Sequence, residues 1–102
     1  MRIPVSHADI LEKHVWAVLS TLEAGGGLRS SPCMCKGGGD RLTVTSVEEV
    51  QAQQMGLNPR VSVMILDPKN VDRWLCVQGD AAPRRGEWGI SIRHVIGFPA
   101  TK

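Results

Sequence analysis

Residues 15–45 read VWAVLSTLEAGGGLRSSPCMCKGGGDRLTVT, and this stretch decides the fold class. Val15 to Leu22 is an apolar, partly β-branched run of the kind that makes a buried strand, and Gly25-Gly26-Gly27 closes it as a hairpin turn would. A return strand over Leu28–Lys36 follows. After a second glycine cluster, Gly37-Gly38-Gly39-Asp40, the run Arg41-Leu42-Thr43-Val44-Thr45 alternates, so Leu42 and Val44 take one face and Arg41, Thr43 and Thr45 the other. Three antiparallel strands in a meander are the expectation.

Upstream, Ser6, Asp9 and the pair Ile10-Leu11 predict a short helix over about residues 6–13, with the serine hydroxyl and early carboxylate satisfying free backbone amides. Downstream the alternation breaks. Ser46 can cap a helix, Glu48 and Glu49 suit its first turn, and Asn58-Pro59 stops it, which predicts a helix over 47–57 with Val47, Val50, Gln54 and Leu57 on one face. Arg60 to Leu66 reads as a fourth strand ending at the turn Asp67-Pro68-Lys69-Asn70, and Arg73 to Ala81 as a fifth. Beyond Pro83-Arg84-Arg85-Gly86, Gly89 to Phe98 makes a sixth, with Ile90 and Ile92 on one face. The chain is therefore expected to be mainly β: six short antiparallel strands with one or two short helices, making a small closed or nearly closed barrel, since closure removes exposed edges.

The 102 residues suit one domain, 1–102, able to bury roughly two thirds of its unfolded surface. A net charge of +2 with Arg84-Arg85 as the only adjacent basic pair argues against nucleic acid, whose binding is dominated by basic stripes. One Phe, three Trp and no Tyr argue equally against a stacking platform for single strands. No window approaches the ~18 apolar residues of a membrane span, and His7, Asp9 and Glu12 stand where a signal peptide needs an apolar run, so a cytoplasmic protein without membrane contact is expected. Cys33, Cys35 and Cys76 make an odd count. A Cys-x-Cys pair on a strand sends both sulfurs to one face about 7 Å apart, which favours free thiols over a disulfide framework. His7, His14 and His94 are scattered and neither Cys-x-x-Cys nor His-x-x-x-His occurs, so no metal is expected.

The ordered set Ala17 to Leu22, Arg29-Ser30-Ser31-Pro32, Asp40 to Thr45, Asn58 to Val63, Gly79-Asp80-Ala81 and His94-Val95-Ile96-Gly97-Phe98-Pro99 resembles the pyridoxamine 5′-phosphate oxidase-like split-barrel family over nearly the whole chain. The subgroup it looks most like uses FMN or the deazaflavin coenzyme F420. The resemblance implies a six-stranded antiparallel split barrel that forms a homodimer, with cofactor grooves between subunits and a small-molecule substrate. It also implies an oxidoreductase in which the cofactor moves hydride to a small conjugated substrate. Carried over residue by residue, the positions expected to contact cofactor are Arg29, Ser30, Ser31 and Pro32 on the second strand, and Thr45 and Ser46 at the end of the third. Gln51 stands in the following helix, and Trp74 is a candidate for ring stacking or for the interface. Hydroxyls and helix-start amides are suitable donors to phosphate oxygens. No catalytic acid, base or nucleophile stands out, which suits chemistry that the cofactor performs.

Two departures from the family pattern matter. Its helix commonly carries a lysine, an arginine two residues on and then asparagine-leucine, where this chain has Gln51, Gln53, Gln54 and Met55. Replacing charge-assisted hydrogen bonds of ~1.5–3 kcal/mol by neutral ones of ~1 kcal/mol lowers phosphate affinity by a decade or more. The family's helical insertion between Ala81 and Gly89 is also missing, its place taken by Pro83 to Trp88. The rival expectation is a non-catalytic dimeric split-barrel module without cofactor affinity.

Overall fold

A computed structural model describes residues 1–99. A short 3-10 helix, Val5–Leu11, leads into the strands β1 Val15–Leu22, β2 Leu28–Gly38 and β3 Arg41–Thr45. The helix α1, Glu49–Leu57, follows, and then β4 Arg60–Asp67, β5 Asn70–Arg84 and β6 Glu87–Phe98. The six strands pair antiparallel in the closed order β1-β2-β3-β6-β5-β4, with β4 back against β1. Inward positions alternate as the sequence patterns require: Leu19, Cys33, Cys35, Leu42, Val44, Val63, Ile65, Leu75, Val77 and Ile90 are fully buried inside the barrel.

The strands run longer than their apolar patterns, β5 by three residues at each end, because ladder hydrogen bonds continue where side chains turn polar. The bridge from β5 to β6 is a two-residue hairpin: Arg84 faces Glu87, and Arg85 and Gly86 lie at φ 51° and 81°, the signs a type I′ turn requires. On β6 the pairing skips from Gln78–His94 to Gly79–Ile92, leaving Arg93 as a bulge. The bulge inverts the parity of the strand, so Ile90 and Ile92 point in before it and Arg93 and His94 both point out.

The two ends of the barrel are closed differently. At the end where β1 begins, Ile3, Ile10 and Leu11 plug the core, and Arg73 ties this segment down by hydrogen bonds to Asp9, Asp67 and the Ser6 carbonyl. The expected serine cap is absent, since Pro4 precedes the 3-10 helix and Ser6 Oγ lies 2.8 Å from His7 Nδ1. At the other end lies α1. Its expected cap is also absent, because Ser46 sits at φ 58°, outside the extended region an N-cap needs, and Glu48 takes the cap position with its carboxylate turned elsewhere.

The inward face of α1 differs from the expectation too. Val47 packs partly on the core and Gln54 Oε1 accepts from Thr21 Oγ1 at 2.6 Å, but Val50 and Leu57 face outward. Gln51 and Met55, one turn apart, are the buried pair. Gln51 Nε2 donates to the carbonyls of Leu19 and Arg29, at 2.9 and 3.1 Å, so the helix is anchored on these two acceptors with Gln51 turned inward. Among the described residues no helix is long and apolar enough to cross a membrane.

Candidate functional site

Strand parity divides the positions expected to hold a cofactor. Arg29 and Ser31 share the inward parity of Cys33 and Cys35, but at the mouth of the barrel they meet α1 instead of the core. There Glu48 Oε1 accepts from Arg29 Nε at 2.5 Å and from Ser31 Oγ at 3.2 Å. The Arg29 hydrogen bond, seconded by Ser31, holds the Glu48 carboxyl below the usual carboxylate range and raises the arginine in return. Two donors on different residues thus converge on one oxygen of an anion, and Ser46 stands two residues before Glu48 on the segment that enters this corner.

Gln51 does not join it. Its side chain is 0% exposed and both amide hydrogens are committed to backbone carbonyls, which leaves it no surface for a ligand. At the helix position where the resemblance implies a lysine, Gln51 is part of the wall that supports Arg29.

Ser30, Pro32 and Thr45 have the opposite parity and lie on the outer face of the barrel. That face is organised in rows across the strands. One row is polar: Ser30, Ser20, Ser62, Gln78 and His94 are successive pairing partners, and Ser30 Oγ and Ser20 Oγ are hydrogen-bonded at 2.8 Å. The next is apolar, running Pro32, Val18, Met64, Cys76 and Ile96. In the third, Thr45 pairs with Met34 and Met34 with Trp16, while Leu66 pairs with Trp74 and Trp74 with Phe98. Trp74 is stacked on Phe98 with ring centroids 5.5 Å apart and planes 9° from parallel. It stands four residues of strand, roughly 13 Å, from the polar row, and so is not brought together with Arg29 or Ser31. Trp16 is 64% exposed, and Val18, Met64, Leu66, Ile96 and Phe98 accompany it as exposed apolar side chains. A shallow depression of about 230 Å³ lies between Trp16, Val18, Pro32, Met64 and Leu66.

Sequence reasoning missed Glu48 as a site residue, although its spacing from Arg29 carries no local signal. It also missed the groove beside the polar row, about 470 Å³, whose walls are Leu22, Leu28, Arg60 and Arg93. The alternation of β1 and β4 could have placed Ser20 and Ser62 on the outer face, but only the strand register makes them neighbours. Cys33 and Cys35 are free thiols inside the barrel, pushed up by burial to about 11 and about 12, and at neutral pH they stay protonated.

No family model and no curated protein matches the chain. Solved structures do. An F420 reductase superposes with a TM-score of 0.75 at 18% identity, over 92% of this chain and 98% of its own. HupZ of Group A Streptococcus gives 0.74 at 13% identity over 94% of each chain. A pyridoxamine 5′-phosphate oxidase-like protein of Listeria innocua gives 0.74 at 16%, over 93% of this chain and 97% of its own. With six antiparallel strands closed in the order described and these neighbours aligned almost end to end, the chain has the split-barrel fold of the pyridoxamine 5′-phosphate oxidase-like proteins.

Proposed function

We propose that the chain binds a flavin-type cofactor, FMN or the deazaflavin F420, as a cytoplasmic homodimer and moves hydride to a small conjugated substrate. The observation that supports this reading most is the corner at the start of α1. Arg29 and Ser31 already grip an anion there, the chain's own Glu48 carboxylate, so the residues present suit a phosphate oxygen in size, charge and donor geometry. Arg29, Ser31 and Ser46 would hold the phosphate end, and Ser30, Pro32 and Thr45 would line the adjoining outer strand face. When bound, the cofactor supplies the hydride chemistry, and the protein's part is to orient it and keep its surroundings dry. The apolar rows around Trp16 and Trp74 favour a second copy of the chain as their cover, because exposed patches of this kind mark interaction surfaces.

A second reading has a specific observation behind it. Glu48 neutralises Arg29, and buried Gln51 offers no replacement charge, which favours a module that has lost its cofactor. Titration of the purified, stripped protein with FMN and separately with F420, followed by ligand fluorescence, separates the two. Saturable micromolar binding, tightened about tenfold or more by Glu48→Gln and weakened about tenfold or more by Arg29→Ala, is the expected outcome. Absence of binding by both wild type and Glu48→Gln would leave the non-catalytic module.

A further inference from the structure

The groove beside the polar row is built from small side chains framed by large ones. Ser20 and Ser62 leave the outer face of β1 and β4 low, while Leu22, Leu28, Arg60 and Arg93 rise around them, enclosing about 470 Å³ with Gln78 and Val61. Ligand sites span roughly 300–1,000 Å³, so the volume suits a small organic molecule.

The charges in it are arranged by the β6 bulge. Without the extra residue Arg93 would have a pairing partner on β5; with it, the side chain turns toward Asp80, which also faces Arg60. Bulges recur where a side chain has to be re-aimed. Gly79, opposite the bulge, has to be glycine, because a Cβ there would stand 2.2 Å from the Ser91 carbonyl oxygen. Asp80 takes Arg60 Nε on one oxygen, at 3.2 Å, and Arg93 Nε on the other. Two guanidinium groups thus share one carboxylate, one positive charge is left over, and the terminal N–H groups of both have no hydrogen-bond partner among the described residues. The Gln78 amide is likewise without a side-chain partner among them, and Ser62 Oγ has only Cys76 Sγ, at 3.6 Å.

We infer that this groove is a binding site for a small organic monoanion, a carboxylate with an apolar body. The Arg60 and Arg93 forks receive the carboxylate, which the planar guanidinium suits better than a point charge would, and Leu22 and Leu28 receive the body. The site lies on the outer face and shares no residue with the Arg29–Ser31–Glu48 corner, although it borders Ser30 through the Ser20–Ser30 hydrogen bond, and it does not require a cofactor to be bound there.

The test is an amide-resolved NMR titration of the full chain with sodium cinnamate, with cinnamamide as the neutral counterpart, in wild type and in Arg60→Ala, Arg93→Ala and Asp80→Asn. Saturable shifts at Ser62, Gln78 and Gly79 with cinnamate but not cinnamamide are expected. Either arginine variant should weaken binding about tenfold or more, and Asp80→Asn should tighten it by removing the competing carboxylate. The same spectra show whether each variant is folded, and the Asp80→Asn result stands even if an arginine variant is not. Equal response to cinnamamide, no response at these amides, or shifts there that follow protein dilution instead of ligand would overturn the inference; the last would make the groove part of a contact between copies. Flavin binding is read through Arg29→Ala and Glu48→Gln and cinnamate binding through Arg60→Ala and Arg93→Ala, so either result can fail without the other.

Discussion

Single residues carry conformations and charges that their types do not announce. Ser46 joins β3 to the helix at φ 58°, a left-handed position that costs a non-glycine residue about 1 kcal/mol or more. Ser46→Gly relieves this while giving back part of the gain as entropy of the unfolded chain, so a net stabilisation of roughly 0.5 kcal/mol is expected in urea unfolding. Loss of stability would mean that the serine hydroxyl holds the junction. Glu48 belongs to the same short segment: as the residue before the helix it would ordinarily cap it, yet its carboxylate serves Arg29 and Ser31. The residue types in Arg29-Ser30-Ser31-Pro32 are legible in the sequence, while the contact that engages Arg29 and Ser31 with Glu48, leaving Ser30 and Pro32 on the outer face, is a tertiary one. Alternation along β2 supplies only the division into two faces.

Among the elements, the strands were the legible part and the helix was not. Strand positions repeat every two residues, so Leu42 and Val44, or Ile90 and Ile92, identify their inner face with no knowledge of partners. The helix has weak apolar contrast, and its burial is decided by the carbonyls of Leu19 and Arg29 beneath Gln51. Met55→Ala is therefore expected to cost about 2–5 kcal/mol, and Leu57→Ala, at a side chain 87% exposed, to stay within about 0.5 kcal/mol. Chemical denaturation of the two variants checks this directly. Similar losses in both would mean that Leu57 is covered in solution.

At the scale of the whole molecule, the end of the barrel opposite α1 depends on Arg73. Its hydrogen bonds hold Asp9 below the ordinary carboxylate range, and Asp67 is held there first by the Lys69 backbone N–H and then by Arg73. A carboxylate depressed in the folded state stabilises it at neutral pH, and the contribution disappears as pH falls from about 4 through the folded value. Stability should thus fall with acid below about pH 4, and Arg73→Gln should flatten that fall, more at Asp9 than at Asp67, which keeps Lys69. An unchanged profile would assign acid sensitivity elsewhere. The apolar rows make a second prediction at this scale. With Trp16 64% exposed at their centre, Trp16→Glu should shift a concentration-dependent dimer toward monomer in sedimentation, and a wild type that is monomeric at every concentration would rule the interface out.

The amino-acid sequence by itself determined the number of strands, the shared faces of Leu42 with Val44 and of Ile90 with Ile92, and the approximate places of the turns, because alternation, β-branching and glycine act over a few neighbouring residues. It also carried the resemblance to the split-barrel proteins, and the fold agrees with it. Tertiary structure alone decided that Gln51 is a wall residue, that Glu48 occupies the Arg29–Ser31 corner, and that Arg60, Asp80 and Arg93 meet beside Ser20 and Ser62. The first two depend on where α1 docks on β1 and β2, and the third on the register of β4, β5 and β6 and on one bulge; docking and register are properties of pairs of elements that no single segment contains.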